Sequence, residues 1–201
     1  MTDQAKYKTI FYSRHIALEA KIIEFADWLM PLSYKTGIIS EHLLTRKKAG
    51  LFDVSHMGRF IIKGRNSLKF LQNVLTNNAQ ALRELESQYT IIADSRGFAI
   101  DDAYLYRFFK DEYLLVVNAG NRIKDFEYLK FHADRFGDIE IIDKTFEIAM
   151  VGLQGPLSKE LLQKVIRKEY FPEPARNNLS VAKINDPEVL ISRTGYSGES
   201  L

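Results

Sequence analysis

The chain has 201 residues, 46% of them apolar and 12% aromatic, enough to bury a sizeable core as one large domain or as one domain with a small appendage. Its 28 basic and 26 acidic residues leave a net charge of +2, which gives no electrostatic case for a nucleic-acid binder. The lack of cysteine excludes disulfides and cysteine chemistry, and with no apolar run near the roughly 20 residues of a membrane span and no signal-peptide core, the chain reads as soluble and cytoplasmic.

In chain order, the spacing of Ile16, Ala20, Ile23 and Trp28 predicts a helix over 14–30 that stops at Pro31, with Trp28 in the core. A second helix is predicted from a Ser40 cap to Gly50, with Glu41 in its first turn and the basic cluster Arg46, Lys47 and Lys48 solvated at its end. Residues 51–63, LFDVSHMGRFIIK, read as a strand entered through a polar knot, Asp53-Val54-Ser55-His56-Met57. Asp, Ser and His side by side suggest a hydrolytic triad. A triad, however, joins distant segments, and near-consecutive residues do not easily meet in that geometry. No second histidine or carboxylate lies at a zinc-ligand spacing, so no metal site is expected. Met57 is a soft side chain that fills core gaps and equally lines the flat face of a bound ring.

A short amphipathic helix is predicted over 66–75, with Ser67 as cap and Leu68, Leu71 and Leu75 on one face. Strands over 88–93, 98–108 and 113–117, separated by turns at 94–97 and 110–112, form a three-stranded antiparallel meander. The following helix places Phe126, Leu129, Ala133 and Phe136 on one face and ends at Gly137. Strands over 139–142 and 146–153 lead to a Gly155-Pro156 break and a helix with Leu157, Leu161, Leu162 and Val165 inward. A loop over 170–178 and strands over 179–184 and 189–193 complete the pattern, which is that of an α+β fold of antiparallel sheets with flanking helices.

Two adjacent carboxylates interrupt the meander. Successive side chains of a strand face opposite sides, so one of Asp101 and Asp102 points into the buried layer and the other away from it. An ionised carboxylate on an inner face costs on the order of several kcal/mol unless it is paired, hydrogen-bonded or kept partly wet. The residues alone leave a structural ion pair and a reactive acid both open.

Five blocks then occur in order over nearly the whole chain: AGLFDVSHMG at 49–58, IDDAYLYR at 100–107, LLVVNAGNRIKD at 114–125, GLQGP at 152–156 and SRTGYSGE at 192–199. Together they resemble the aminomethyltransferase (T-protein) family of the glycine cleavage system. The resemblance implies that 1–201 is the family's folate-binding domain, incomplete at its C-terminal end, with the family's C-terminal β-barrel domain absent. It implies tetrahydrofolate as co-substrate and a lipoylated H-protein as partner, carrying an aminomethyl group on sulfur. Asp102 matches the family's essential acid, which leaves Asp101 structural, and Met57, Tyr89, Val116, Asn118 and Tyr196 match positions around the pterin.

Related folate domains occur in demethylating oxidases, but no GxGxxG flavin fingerprint precedes this one. An iron–sulfur maintenance protein of the same superfamily carries a cysteine where this chain has GYSGE. The chain stops at Leu201, before the glutamate and arginines that in the family hold the folate. An aminomethyltransferase is therefore expected, with a non-catalytic folate-binding or interaction module as the alternative. Either is expected to pair with a separate C-terminal half or to self-associate near the Asp102 hairpin and the GYSGE turn.

Overall fold

The computed structural model describes residues 7–166 and 175–195, which divide into two units. One is built from 7–56, 149–166 and 181–195, the other from 57–148 and 175–180.

The first unit opens with β1 (Tyr7–Lys8), α1 (Tyr12–Ala17), β2 (Lys21–Phe25), β3 (Trp28–Ser33), α2 (Ile38–Lys47) and β4 (Gly50–Asp53). β3 lies between β1, to which it is parallel, and β2, to which it is antiparallel. The helix expected over 14–30 thus ends at Ala17, and a hairpin takes its place. Phe25 pairs with Trp28, which leaves Ala26 and Asp27 as a two-residue turn with φ of 49° and 65°. Such a turn matches the twist of a hairpin, and the Ile22-Ile23 run favours strand over helix. Trp28 is core, as the sequence indicated, while Ile16 is exposed. α2 starts after Gly37 rather than at Ser40, and Gly50 opens β4 instead of closing the helix.

The second unit runs through β5 (Gly58–Lys63), α3 (Ser67–Val74), β6 (Glu86–Ala93), β7 (Ala99–Phe109), β8 (Glu112–Val117), α4 (Arg122–Ala133) and β9 (Glu140–Asp143). Its sheet is antiparallel throughout, in the order β6-β7-β8-β5-β9, and contains the expected meander. The single strand expected over 51–63 is two strands in different sheets, because the polar knot turns the chain between them. Ser67 is the first helical residue of α3 rather than its cap; Asn66 holds the cap position, and its carboxamide donates to the Phe136 and Gly137 carbonyls.

One face of this sheet carries the core. Phe60, Ile62, Leu105, Leu115 and Val117 pack with Phe70, Leu71 and Val74 of α3 and with Leu129 and Ala133 of α4, and Phe126 and Phe136 close the edge. Each large apolar side chain fully buried here contributes about 1.5–3 kcal/mol.

The chain continues with β10 (Val151–Gln154), α5 (Ser158–Val165), β11 (Leu179–Lys183), whose first two residues belong to the second unit, and β12 (Glu188–Ser192). β10 pairs antiparallel with β4, and β11 pairs with β12. The strand expected over 146–153 is confined to β10, since the Glu147 and Ile148 amides turn back onto the Lys144 carbonyl. Leu157, Leu161 and Val165, expected inward, are exposed, and only Leu162 is half-buried. Their spacing marks an apolar stripe without saying what covers it. The expected loop over 170–178 lies largely outside the described residues, as does Tyr196. No helix among the described residues is long and apolar enough to cross a membrane.

Candidate functional site

Register gathers the candidate residues on the sheet face opposite the core. Tyr89 of β6 pairs with Tyr104 of β7, Tyr104 with Val116 of β8, and Val116 with Arg59 of β5, so these four side chains form one row across four strands. Asp102 lies two residues before Tyr104 on β7, on the same face, opposite Ile91. Asn118 follows β8 and Met57 precedes β5, and the pairing of Gly58 with Val117 sets these two opposite each other one step beyond the ladder. The row is wet at one end and dry at the other. Tyr89 and Asp102 are exposed, Tyr104 is half-buried, and Val116 and Arg59 are buried.

The two aspartates are separated by the pleat. Asp101 faces the core side and is buried, its carboxylate accepting from the Asn118 backbone N–H at 3.0 Å, the Asn118 carboxamide at 2.9 Å and the Asn121 carboxamide at 2.8 Å. Burial alone would raise its pKa. The hydrogen bonds from Asn118, from the Asp125 carboxyl and from Asn121 outweigh burial and hold it below the usual carboxylate range. Asp125, fully buried on α4, behaves in the opposite way: burial first, then the adjacent Asp101, pushes it up to about 8, so it is the protonated member of the pair.

Asp102 faces the other way, and the Asn118 carboxamide nitrogen reaches its Oδ1 at 2.8 Å. That amide group therefore bridges both carboxylates, which fixes its rotamer and the direction of Asp102. Slight desolvation of the exposed phenol, then the charge of Asp102 and a hydrogen bond to it, holds Tyr89 above its ordinary pKa. Arg59, 1% exposed, donates through its guanidinium to the Met57 and Thr145 carbonyls and thereby anchors the segment that carries Met57.

The structure thus brings together Asp102, Asn118, Tyr89, Val116 and Met57; Tyr196 lies outside the described residues. Tyr104 and Arg59 belong to the same row and were missed by the sequence reading. The alternation rule was the signal for Tyr104, which stands two residues after Asp102 and so shares its face. The Asp53-Ser55-His56 knot does not assemble as a triad. Asp53 instead takes its histidine from α1, with His15 Nε2 at 3.0 Å, and Ser55 Oγ bonds the Met150 backbone. Chemically, the sheet face offers an aromatic and apolar floor beside one oriented, solvent-accessible carboxylate. That arrangement suits a flat heterocycle with N–H groups and stabilises positive charge developing next to it.

The architecture is shared with a solved enzyme. The crystal structure of glycine cleavage system aminomethyltransferase T from Bartonella henselae superposes with a TM-score of 0.85 at 33% identity, over 96% of this chain and 51% of that one. Residues 11–200 match the family model described as the GCVT N-terminal domain, and the chain belongs to that family. Among curated relatives, proteins named aminomethyltransferase are 41% identical over 197 residues in Chlorobium limicola and 43% identical over 183 residues in Geobacillus thermodenitrificans. The alignments cover 96% and 90% of this chain but 53% and 48% of those relatives, so the chain spans about half the length of the curated relatives it matches.

Proposed function

We propose that the sheet face around Asp102 binds tetrahydrofolate and that the chain supplies the folate-binding part of a glycine-cleavage aminomethyltransferase. In this reading a lipoylated H-protein presents an S–CH2–NH2 group. The C–N bond to nitrogen breaks and ammonia leaves, the carbon becomes bonded to two folate nitrogens, and the C–S bond breaks to return the lipoyl thiol. The two hydrogens displaced from the folate nitrogens balance the ammonia and the thiol. Asp102 is the catalytic carboxylate: it orients the folate amines and stabilises the positive charge that develops on the one-carbon unit. Met57, Tyr89 and Val116 surround the ring, and Asn118 contributes its carboxamide oxygen, both of its amide hydrogens being engaged by Asp101 and Asp102; Tyr196, outside the described residues, is assigned to the ring from the sequence block alone.

The observation that carries this reading is the hydrogen bond from the Asn118 carboxamide to Asp102 at 2.8 Å, on the face that also holds Tyr89 and Val116. The names of the relatives support it, and the lack of cysteine fits the cytoplasmic setting we assign. A second reading is a folate-binding module without turnover, which the same aromatic and apolar sheet face would serve.

Calorimetry with tetrahydrofolate tests binding. A methylene-folate assay with aminomethylated H-protein, run with and without the remaining half of the relatives' length supplied as a second polypeptide, tests turnover. Folate binding together with turnover that Asp102→Asn abolishes supports the transferase. Binding without turnover in either assay supports the module, and failure to bind folate in any arm overturns both.

A further inference from the structure

α4 carries a carboxyl group for which the folate chemistry has no direct use. Asp125, in its first turn, is 0% exposed, and neither of its oxygens accepts a hydrogen bond from a donor among the described residues. A buried carboxyl to which no donor comes is costly to ionise and keeps its proton. Asp101 of β7 is the acceptor for that proton. It already takes three N–H groups, the Asn118 backbone on Oδ2 and the Asn118 and Asn121 carboxamides on Oδ1, which leaves an Oδ2 lone pair for the Asp125 O–H.

The Asn118 carboxamide carries this arrangement across the sheet. Its nitrogen donates one hydrogen to Asp101 at 2.9 Å and the other to Asp102 Oδ1 at 2.8 Å, and the two aspartates lie on opposite faces of β7. Asp125, Asp101, Asn118 and Asp102 therefore form one chain from the core to the exposed face, all within the second unit. The charges that act on Asp125 are Asp101 from β7 and Lys124 from its own helix, whose exposed ammonium donates to the Ile100 carbonyl. The segment after β8 contributes the amides of Asn118 and Asn121, and α3 meets α4 through the apolar core. Tyr128, one turn along α4, donates to the Ala93 carbonyl, and Arg122 pairs with Asp143 of β9.

We infer that Asp125 is a positioning residue for Asp102: its carboxyl proton holds Asp101 in the geometry in which Asn118 clamps the Asp102 carboxylate. The inference rests on the reading of the sheet face around Asp102 as the folate site, and it makes that site depend on a group on the far face of the sheet. Loss of the proton sets two buried carboxylates against each other. Asp101 and Asp125 then compete for the Asn118 and Asn121 amides, and Asp102 loses the amide that directs it. Burial and the adjacent Asp101 put this change at about pH 8.

The test is NMR of the full chain between about pH 6 and about pH 9.5, on either side of that change. Three-bond couplings to the Cγ carbons of Asn118 and Asp102 report their χ1 rotamers, which a change of nearby charge does not by itself move. In the parent chain both residues are expected to hold one rotamer at low pH and to lose it with the midpoint at which the Asp125 carboxyl carbon titrates. Asp125→Asn gives Asp101 an uncharged N–H donor at every pH, so both rotamers are expected to stay fixed throughout. Asp125→Leu gives it none and is expected to average them at every pH. Calorimetry with tetrahydrofolate is expected to show affinity falling about tenfold from about pH 7 to about pH 9 in the parent, as the protonated population is lost, and level in Asp125→Asn. Fixed couplings in the parent while Asp125 titrates, an Asp125→Asn variant that follows the parent's pH course, or an Asp125→Leu variant with the parent's rotamers overturns the inference. So does folate affinity that stays level while the rotamers change. If Asp125→Leu does not fold, the comparison of Asp125→Asn with the parent decides. Rotamer changes as expected with no folate binding at any pH uphold the coupling and overturn the folate reading instead.

Discussion

Asn118 closes on Asp101 through two hydrogen bonds, one from its backbone N–H at 3.0 Å and one from its carboxamide at 2.9 Å. The contact locks the end of β8 to β7 and turns the remaining amide hydrogen toward Asp102. The neighbouring aspartates therefore have unlike roles. Asp101→Ala removes a buried acceptor from the Asn118 N–H, the Asn118 and Asn121 carboxamides and the Asp125 carboxyl, and is expected to cost about 2–4 kcal/mol of stability. Asp102→Ala, at an exposed position, is expected to stay within about 1 kcal/mol of the parent and, on the function proposed above, to abolish turnover rather than stability. Urea denaturation of both variants is the check, and equal destabilisation would contradict the assignment of Asp101 as structural.

Asp125 gives stability a pH dependence of unusual sign for a carboxyl group. Its folded pKa is raised to about 8, chiefly by burial and then by Asp101, with Lys124 opposing. Between the ordinary carboxylate value and about 8 the folded state holds a proton that the unfolded chain has released, so this group's contribution declines as pH rises through that window and levels off above it. Asp101, lowered when folded, acts in the opposite sense and only at lower pH: its contribution is present above the unfolded value and is lost as pH falls through the folded one. Asp125→Asn removes the first effect. The stability of that variant relative to the parent is expected to rise with pH by up to about 1.4 kcal/mol per unit between about pH 5 and pH 8. A difference that stays flat across that range in chemical denaturation would refute the protonated Asp125.

Gly155, in the GLQGP block, has a steric reason to be glycine. At φ of 115°, an added Cβ would stand 2.4 Å from the Thr45 carbonyl oxygen and 2.7 Å from that of Lys48, both backbone atoms that cannot swing away. Gly155→Ala is expected to cost about 3 kcal/mol or more. Gly137→Ala, at φ of 59° with open space around it, pays only the left-handed backbone penalty of about 1–2 kcal/mol. Comparing the two variants by thermal and urea unfolding separates the clash from the conformational cost.

The β2–β3 hairpin offers a stabilising change. Ala26 sits at φ of 49° in the first position of the turn, where a Cβ is unfavourable. Ala26→Gly is expected to raise stability by about 0.5–1 kcal/mol, the relief of strain exceeding the added entropy of the unfolded chain. An unchanged or lowered urea midpoint would show that the turn is not strained.

The sequence by itself determined the elements whose local signals agree with their neighbours. The meander was legible because the Asp94–Gly97 and Lys110–Glu112 turns flank alternating runs, and α4 because Leu129 and Ala133 recur at helical spacing before Gly137. The pleat alone also separates the two aspartates onto opposite faces of the strand. Tertiary structure decided the rest. The spacings of four, three and five residues between Ile16, Ala20, Ile23 and Trp28 were compatible with helix over 14–30 until Phe25 paired with Trp28 and bent the chain at Ala26-Asp27. The row Tyr89–Tyr104–Val116–Arg59 depends on the register between four strands, which alternation along any one strand does not encode. The partner of Asp53 could not be read from its neighbours Ser55 and His56, because His15 stands 38 residues away and reaches Asp53 only when α1 and β4 are placed within one folded unit.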